Sequence, residues 1–96
     1  MYARVARFEG ANGEALRENA KRISDDPSGP PEGVPAKKFV MLIDPDAGRS
    51  IAIVFFETEE DMRKGDETLR GMSPPDEAGK LTGVEMYEVG VDVGVD

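Results

Sequence analysis

The sequence has no histidine, no cysteine and no tryptophan among its 96 residues. Without cysteine the chain cannot form disulfides or use a thiol as a nucleophile. It therefore lacks the Ser-His-Asp and Cys-His arrangements and the usual zinc ligand sets, and no phosphate-binding glycine loop is present. Any catalysis would rest on Tyr, Arg, Asp or Glu and on the reactivity of the substrate itself. We predict no metal site and no cofactor.

Basic residues and long apolar runs are also scarce. The 12 Lys and Arg residues face 20 Asp and Glu residues, which gives a formal net charge of −8. Binding to nucleic acids and anionic membranes depends on clustered basic residues, so neither partner is expected. No apolar run approaches the roughly 20 residues that span a bilayer, and the N-terminus lacks the apolar core of a signal peptide. We expect a cytoplasmic protein.

The first half of the chain predicts a strand, a helix and a loop. Residues 2–8, YARVARF, alternate in β fashion and stop at Gly10, as is typical of a strand. The stretch NGEALRENAKRIS places Leu16, Ala20 and Ile23 at helical spacing, so we expect an amphipathic helix that buries this stripe. The segment DDPSGPPEGVP holds four of the seven prolines, which predicts a loop long enough to act as a lid.

The second half predicts a hairpin, a helix and a strand. The runs KKFVMLID and IAIVFFE are rich in β-formers and are joined by the short turn PDAGRS, a pattern typical of a β-hairpin. Thr58 begins TEEDM, a capping-box-like helix start, and Met62, Gly65, Leu69 and Met72 share one stripe of that helix. The stretch SPPDEAGK ends the helix, and LTGVEMYEVGVDVGV is predicted to be a final strand with an alternating tail.

The predicted element order is βαββαβ in one α+β domain spanning residues 1–96, because a chain of this length has room for one small core. This order folds most simply as a ferredoxin-like, four-stranded antiparallel sheet with strand order 4-1-3-2 and both helices on one face. The first and third strands are then central in the sheet.

The predicted sheet is apolar on both faces. In the third strand the side chains at 51, 53 and 55 point one way and those at 52, 54 and 56 point the other, and all six are apolar. Two helices can cover only one side of such a sheet, so the other side requires a partner. We predict a homodimer joined through this open face. The C-terminal segment VGVDVGVD either adds to the partner's sheet edge or is a frayed terminus.

Three stretches carry a resemblance to a known family: YARVARFEG, LIDPDAGRSIAIVFFETEEDM and VEMYEV, which leave out chiefly the proline-rich loop. The pattern resembles the antibiotic-biosynthesis-monooxygenase family of the dimeric α+β barrel superfamily. That resemblance implies a dimeric α+β barrel. Family members include cofactor-free quinol oxygenases, haem-degrading enzymes, isomerase-like proteins and many proteins of unknown role, so the fold does not specify the activity.

The chain departs from this family at several functional positions. The haem-degrading branch uses a His ligand, and this chain has none, so haem degradation is not expected. The aromatic residue at the end of the third strand, often Trp in the family, is Phe56 here. The Asn and Trp pair of the oxygenase branch has no counterpart on the first strand, because Asn12 and Asn19 are the only asparagines and both lie outside the strands.

Two arginines lie on the first strand, where burying a charge without a partner is costly. One interpretation is that Arg4 or Arg7 binds an anion or an enolate in a pocket, since a guanidinium offers fixed donors to developing negative charge. The other interpretation is that they pair with Glu85 and Glu88 on the neighbouring fourth strand. The two arginines are predicted to face opposite ways, so at most one can enter a given cavity.

Aromatic residues complete the candidate site. Tyr2 and Tyr87 can donate hydrogen bonds to a ligand oxygen while their rings line an apolar cleft, or they can lie at a rim with their hydroxyls in water. The resemblance adds Phe56. The predicted ligand-binding set is therefore Tyr2, Arg4, Arg7, Phe56 and Tyr87.

Three functions remain open at this point. The first is a homodimeric protein that binds a small, largely apolar molecule without a cofactor. The second is a cofactor-independent monooxygenase or isomerase that acts on an activated phenol or enol, which requires one arginine to face the pocket rather than pair with an acid. The third is a protein-interaction module, which predicts a filled interior.

Overall fold

The computed structural model describes residues 1–26, 28–72 and 79–95. Four strands and two helices follow one another in the predicted βαββαβ order. Their bounds are β1 Tyr2–Glu9, α1 Gly13–Asp25, β2 Lys38–Asp44, β3 Arg49–Phe56, α2 Glu59–Arg70 and β4 Lys80–Glu88. The stretch predicted to end the second helix lies mostly outside the described residues.

The four strands form one antiparallel sheet in the order β2-β3-β1-β4, which is the predicted order read from the opposite edge. The central strand β1 pairs with β3 on one side and with β4 on the other, so that Tyr2 lies between Phe56 and Glu88. The hairpin of β2 and β3 places Val40 opposite Ile53. Both predictions, the fold class and the central position of the first and third strands, are confirmed.

The fourth strand is shorter than predicted. Val89 still donates a backbone hydrogen bond to Met1 at 2.9 Å, but residues 89–95 then leave the sheet. Val91, Val93 and Val95 are 80%, 72% and 92% exposed. Alternation in the sequence was therefore not sufficient for a strand, because a strand also needs a neighbour to accept and donate its backbone hydrogen bonds.

Helix α1 begins where its sequence offers a cap. The Asn12 side chain accepts hydrogen bonds from the backbone N–H groups of Glu14 and Ala15, as expected for an N-cap residue. Leu16 is fully buried, but Ile23 is 42% exposed, so the predicted stripe holds only in the first turns. Asn19 is buried instead, and its side-chain oxygen accepts a hydrogen bond from Arg22 at 3.0 Å.

Helix α2 begins at the predicted cap, where the Thr58 hydroxyl accepts from the Asp61 N–H at 3.0 Å. The helix ends at Arg70, so Met72 lies beyond it and is 48% exposed rather than part of the buried stripe. Neither α1 nor α2 is long and apolar enough to cross a membrane, and no other helix occurs among the described residues.

The core lies between α2 and the sheet. It comprises Val34, Val54, Phe56 and Met62. Phe56 is fully buried, and a Cβ atom at Gly65 would lie 2.6 Å from two carbons of its ring. Close packing of helix on sheet therefore accounts for the glycine inside α2, and no ligand space lies at this point.

The C-terminal part of the proline-rich segment packs against α2 and is hydrogen-bonded to it. Val34 enters the core beside Phe56 and is 5% exposed. The Thr68 hydroxyl donates a hydrogen bond to the Gly33 carbonyl at 3.1 Å. This end of the predicted lid is thus part of the packed structure, while residues 28–30 remain exposed.

We expect Gly65→Ala to lower the free energy of unfolding by up to about 2 kcal/mol, because overpacking against Phe56 costs about 1–3 kcal/mol and is offset in part by the roughly 1 kcal/mol gained in helix propensity. The matched control is Gly71→Ala. Gly71 has a right-handed helical backbone with φ −78°, and a Cβ there meets only ordinary contacts at 3.5 Å or more. Urea denaturation of both variants measures the difference, and equal stabilities would contradict the close contact.

A candidate small-molecule cleft

The sheet presents two faces of different environment. Side chains alternate along a strand, and Arg4 contacts Asp66 of α2, so the even-numbered residues of β1 face the helices. The odd-numbered residues of β1 and their cross-strand neighbours form the opposite surface, which we term the open face. Its apolar members are Val5, Val40, Leu42, Ile51, Ile53 and Phe55.

Arg4 is buried beneath α2 and is fully paired. Its Nε donates to Asp66 at 2.8 Å, with side-chain exposures of 7% and 13%, and Asp66 also accepts from Arg70 at 2.8 Å. Burial raises the pKa of the Asp66 carboxyl, but the hydrogen bonds and charges of the two arginines outweigh it and hold that pKa below its usual range. The pairing therefore stabilises the protein fully above the unfolded pKa of about 3.9 and is lost as the pH falls through the folded value.

Arg7 lies on the open face and pairs with Glu85, as one of the two interpretations predicted. Its Nε donates to Glu85 at 2.7 Å, and the Tyr87 hydroxyl donates to the other oxygen of the same carboxylate at 2.5 Å. Donation by Tyr87 and then by Arg7 lowers the pKa of Glu85, while the same hydrogen bonds raise the pKa values of Tyr87 and Arg7. These three exposed side chains form one polar group at the β4 side of the open face.

A cleft of about 470 Å³ lies between the start of α2 and the part of the sheet where the start of β1 pairs with the end of β4. Its volume is within the range of small-molecule sites, which is about 300–1,000 Å³. It is formed by residues from the start of β1, the first turns of α2 and the end of β4. The lining residues are Tyr2, Glu59, Met62, Arg63, Met86, Tyr87 and Glu88.

The sheet register positions one wall of the cleft. Tyr2 of β1 lies directly opposite Glu88 of β4, and Met86 lies opposite Arg4. Directly opposite residues have their Cβ atoms about 4.5–5.5 Å apart, so the Tyr2 ring and the Glu88 carboxylate are neighbours. The cap at Thr58 fixes the start of α2 and thereby the opposite wall, which carries Met62.

The charged side chains that line the cleft do not neutralise one another. Arg63, the one guanidinium among the described lining residues, donates from Nε and from a terminal nitrogen to Glu59, at 3.1 and 2.7 Å. Glu88 has no hydrogen-bond or ion-pair partner among the described residues. The cleft therefore combines the thioethers of Met62 and Met86 and the phenol ring of Tyr2 with one carboxylate that has no counter-charge.

The predicted site residues separate into two groups. Tyr2 and Tyr87 line the cleft, whereas Phe56 is sealed in the core. Arg4 and Arg7 point to opposite sides of the sheet, as predicted, and each is paired with an acid. The acid that pairs with Arg4 is Asp66 rather than a glutamate of β4, because α2 passes over this part of β1.

Sequence reasoning missed five lining residues, on α2 and β4. Met62 was predicted as part of the buried stripe of α2, and it is indeed 5% exposed. Glu88 could have been found from the register, since an antiparallel pairing that starts at Tyr2 brings the end of β4 beside it. Among the described residues, no three acidic side chains are grouped so that they could hold a metal ion.

Two solved structures of the protein MhuD have the same fold. One is a crystal structure of an MhuD point mutant with two manganese protoporphyrin IX molecules per active site, with a TM-score of 0.63 and 17% sequence identity over 99% of this chain and 100% of that chain. The other is the haem-degrader MhuD from Mycobacterium tuberculosis with two haems in its active site, with a TM-score of 0.61 and 17% identity over 98% and 100% of the two chains. No protein-family model matches the sequence, and the comparison with curated proteins finds no match. The likeness establishes the fold alone, an α+β fold of the ferredoxin-like type.

We expect Arg4→Gln to lower the free energy of unfolding by about 1–3 kcal/mol, because the partly buried Asp66 carboxylate loses its partner from β1 and keeps only Arg70. The matched control is Arg7→Gln on the same strand, which breaks a pair whose side chains are 49% and 41% exposed. Its cost should be clearly smaller, because solvent screens an exposed ion pair. Chemical denaturation measures both, and similar losses for the two variants would contradict the distinction.

Proposed function

We propose that this chain is a homodimeric α+β barrel protein, of the monooxygenase-like class, that binds a small and largely apolar molecule in the cleft between α2 and the ends of β1 and β4. The observation that carries the proposal is the lining itself: Met62, Met86 and the Tyr2 ring line a volume of about 470 Å³, and Tyr87 lies at its edge. Binding sites of this kind are built from apolar and aromatic walls with a few polar groups.

The open face supports the homodimer. Six apolar side chains lie on the side of the sheet that α1 and α2 do not cover, and Leu42 among them is 51% exposed. A contiguous apolar surface of this kind marks an interaction site. A second copy offers the same surface, and a two-fold axis lets the two sheets cover each other. One domain of residues 1–96 would then supply each half of the barrel.

The C-terminal tail belongs to the same proposal. Residues 90–95 lie outside the sheet, and Val91, Val93 and Val95 are exposed. Pairing of this segment with a sheet edge of the second copy would cover these valines, and it stays a prediction.

The enzymatic alternative requires an arginine that is available to a substrate in the pocket, and neither Arg4 nor Arg7 is available in this way. An oxygenase or isomerase that stabilises an enolate needs an arginine in its pocket, and Arg4 and Arg7 are instead paired with Asp66 and Glu85. Tyr87 lines the cleft, but its hydroxyl already donates to Glu85. We therefore favour the binding function over cofactor-independent catalysis.

Haem, which one of the two MhuD structures contains, fits this cleft poorly. Tyr and Met are residue types that ligate haem iron in some proteins, but the chain has no His. The uncompensated Glu88 carboxylate would also repel the two propionates of a protoporphyrin. We accordingly assign no haem chemistry to this chain.

A thermal-shift screen of small aromatic and polyketide-like compounds tests the binding function. A ligand at 100 times its dissociation constant should add about 2.7 kcal/mol of stability.

Met86→Gln should weaken binding about fivefold, since roughly 1 kcal/mol of apolar contact is lost. Leu81→Gln is the control, because Leu81 lies on the same strand outside the cleft and is 41% exposed against 39% for Met86. Uniformly flat responses, or equal loss in both variants, would contradict the cleft as the site.

Light scattering at micromolar concentration tests the homodimer, which should have twice the 10.4 kDa mass of one chain. We expect Leu42→Lys to shift the protein to single chains, because it places a charge on the open face. Met72→Lys is the control, since Met72 is similarly exposed at 48% but follows α2. A wild-type protein that remains a single 10.4 kDa chain would overturn this part of the proposal.

A further inference from the structure

We propose that the ligand of the cleft is an organic cation, that is, a quaternary or protonated amine attached to an apolar body. This inference rests on the proposed function, because it names the chemical class of the molecule that the same cleft binds. It is carried by the juxtaposition of one unpaired carboxylate with the phenol ring of Tyr2 and two thioethers.

The carboxylate is Glu88. It lines the cleft opposite Tyr2 in the sheet register, and no described residue pairs with it. A neutral apolar ligand in the cleft would take water away from this carboxylate and offer nothing in return, which is costly. A cationic ligand would instead supply the missing counter-charge.

The other charges of the cleft do not compete for that role. Arg63 is held by two hydrogen bonds to Glu59, so this pair adds no net charge. The positive end of the α2 dipole also points toward the cleft, but three acidic residues occupy the first turn of the helix and oppose it. The net charge of −8 on the whole chain further favours the approach of cations over anions.

The uncharged walls suit the same ligand class. The face of the Tyr2 ring carries negative charge density and attracts a cation, by about 0.5–2 kcal/mol. Aromatic walls of this type bind quaternary ammonium groups, whose positive charge is spread over methyl groups. The thioethers of Met62 and Met86 are polarizable and adapt to an irregular apolar body.

The test compares three probes that share a ring and differ in charge: benzyltrimethylammonium, its neutral isostere 2,2-dimethylpropylbenzene, and benzenesulfonate. Dissociation constants are measured by NMR titration of the full-length protein at low salt. We expect the cation to bind at least about tenfold more tightly than the neutral probe, and the anion to bind more weakly than both. Equal binding of the cation and the neutral probe would overturn the inference and leave the proposed function standing, whereas no binding of any probe would overturn both.

Variants locate the effect. Glu88→Gln should weaken the cation about tenfold and leave the neutral probe unchanged, while Glu67→Gln, an exposed α2 acid outside the cleft, should change neither. Tyr2→Leu should weaken the cation several-fold, and Tyr2→Phe should retain binding because it keeps the ring. Thermal melts confirm that each variant is folded. Cation binding that is insensitive to both Glu88→Gln and Tyr2→Leu would place the probe elsewhere and overturn the inference.

Discussion

A sheet with apolar side chains on both faces is the constraint on which the rest of this molecule depends. Helices α1 and α2 cover one face, and Gly65 lets α2 pack directly on the Phe56 ring, where a Cβ atom would not fit. That short distance buries the Arg4 and Asp66 pair. It also fixes where α2 begins relative to the strand ends, which determines the shape of the cleft.

The two arginines of β1 show how one strand serves two environments. Arg4 and Arg7 differ by three positions and therefore point to opposite faces. Arg4 ties β1 to α2 in a buried contact, whereas Arg7 organises an exposed group with Glu85 and Tyr87. Both guanidinium groups are thus used for structure, and the chemistry available to a ligand comes from the ends of the strands.

Sequence patterns predicted the element order, the sheet topology and the side on which each strand residue lies, because period-two alternation and turn residues act locally. They did not predict that Arg4 would pair with Asp66, 62 positions away, since that contact depends on where α2 crosses the sheet. They also misassigned Ile23, whose burial depends on neighbours that the local pattern does not specify. Of the candidate site, Tyr2 and Tyr87 were found because aromatic residues near strand ends are visible in sequence.

The insertion of Val34 into the core has a consequence for how this chain tolerates change in length. Val34 packs in the core and Gly33 accepts a hydrogen bond from Thr68, so the β2 side of the connection between α1 and β2 is fixed. The other side of this connection is exposed around Gly29, where no atom lies within 4 Å of the Cβ position. Extra residues or a genetically inserted tag at that exposed end would extend into solvent without disturbing the core. The same connection that anchors the fold thus offers a permissive position for labelling the protein.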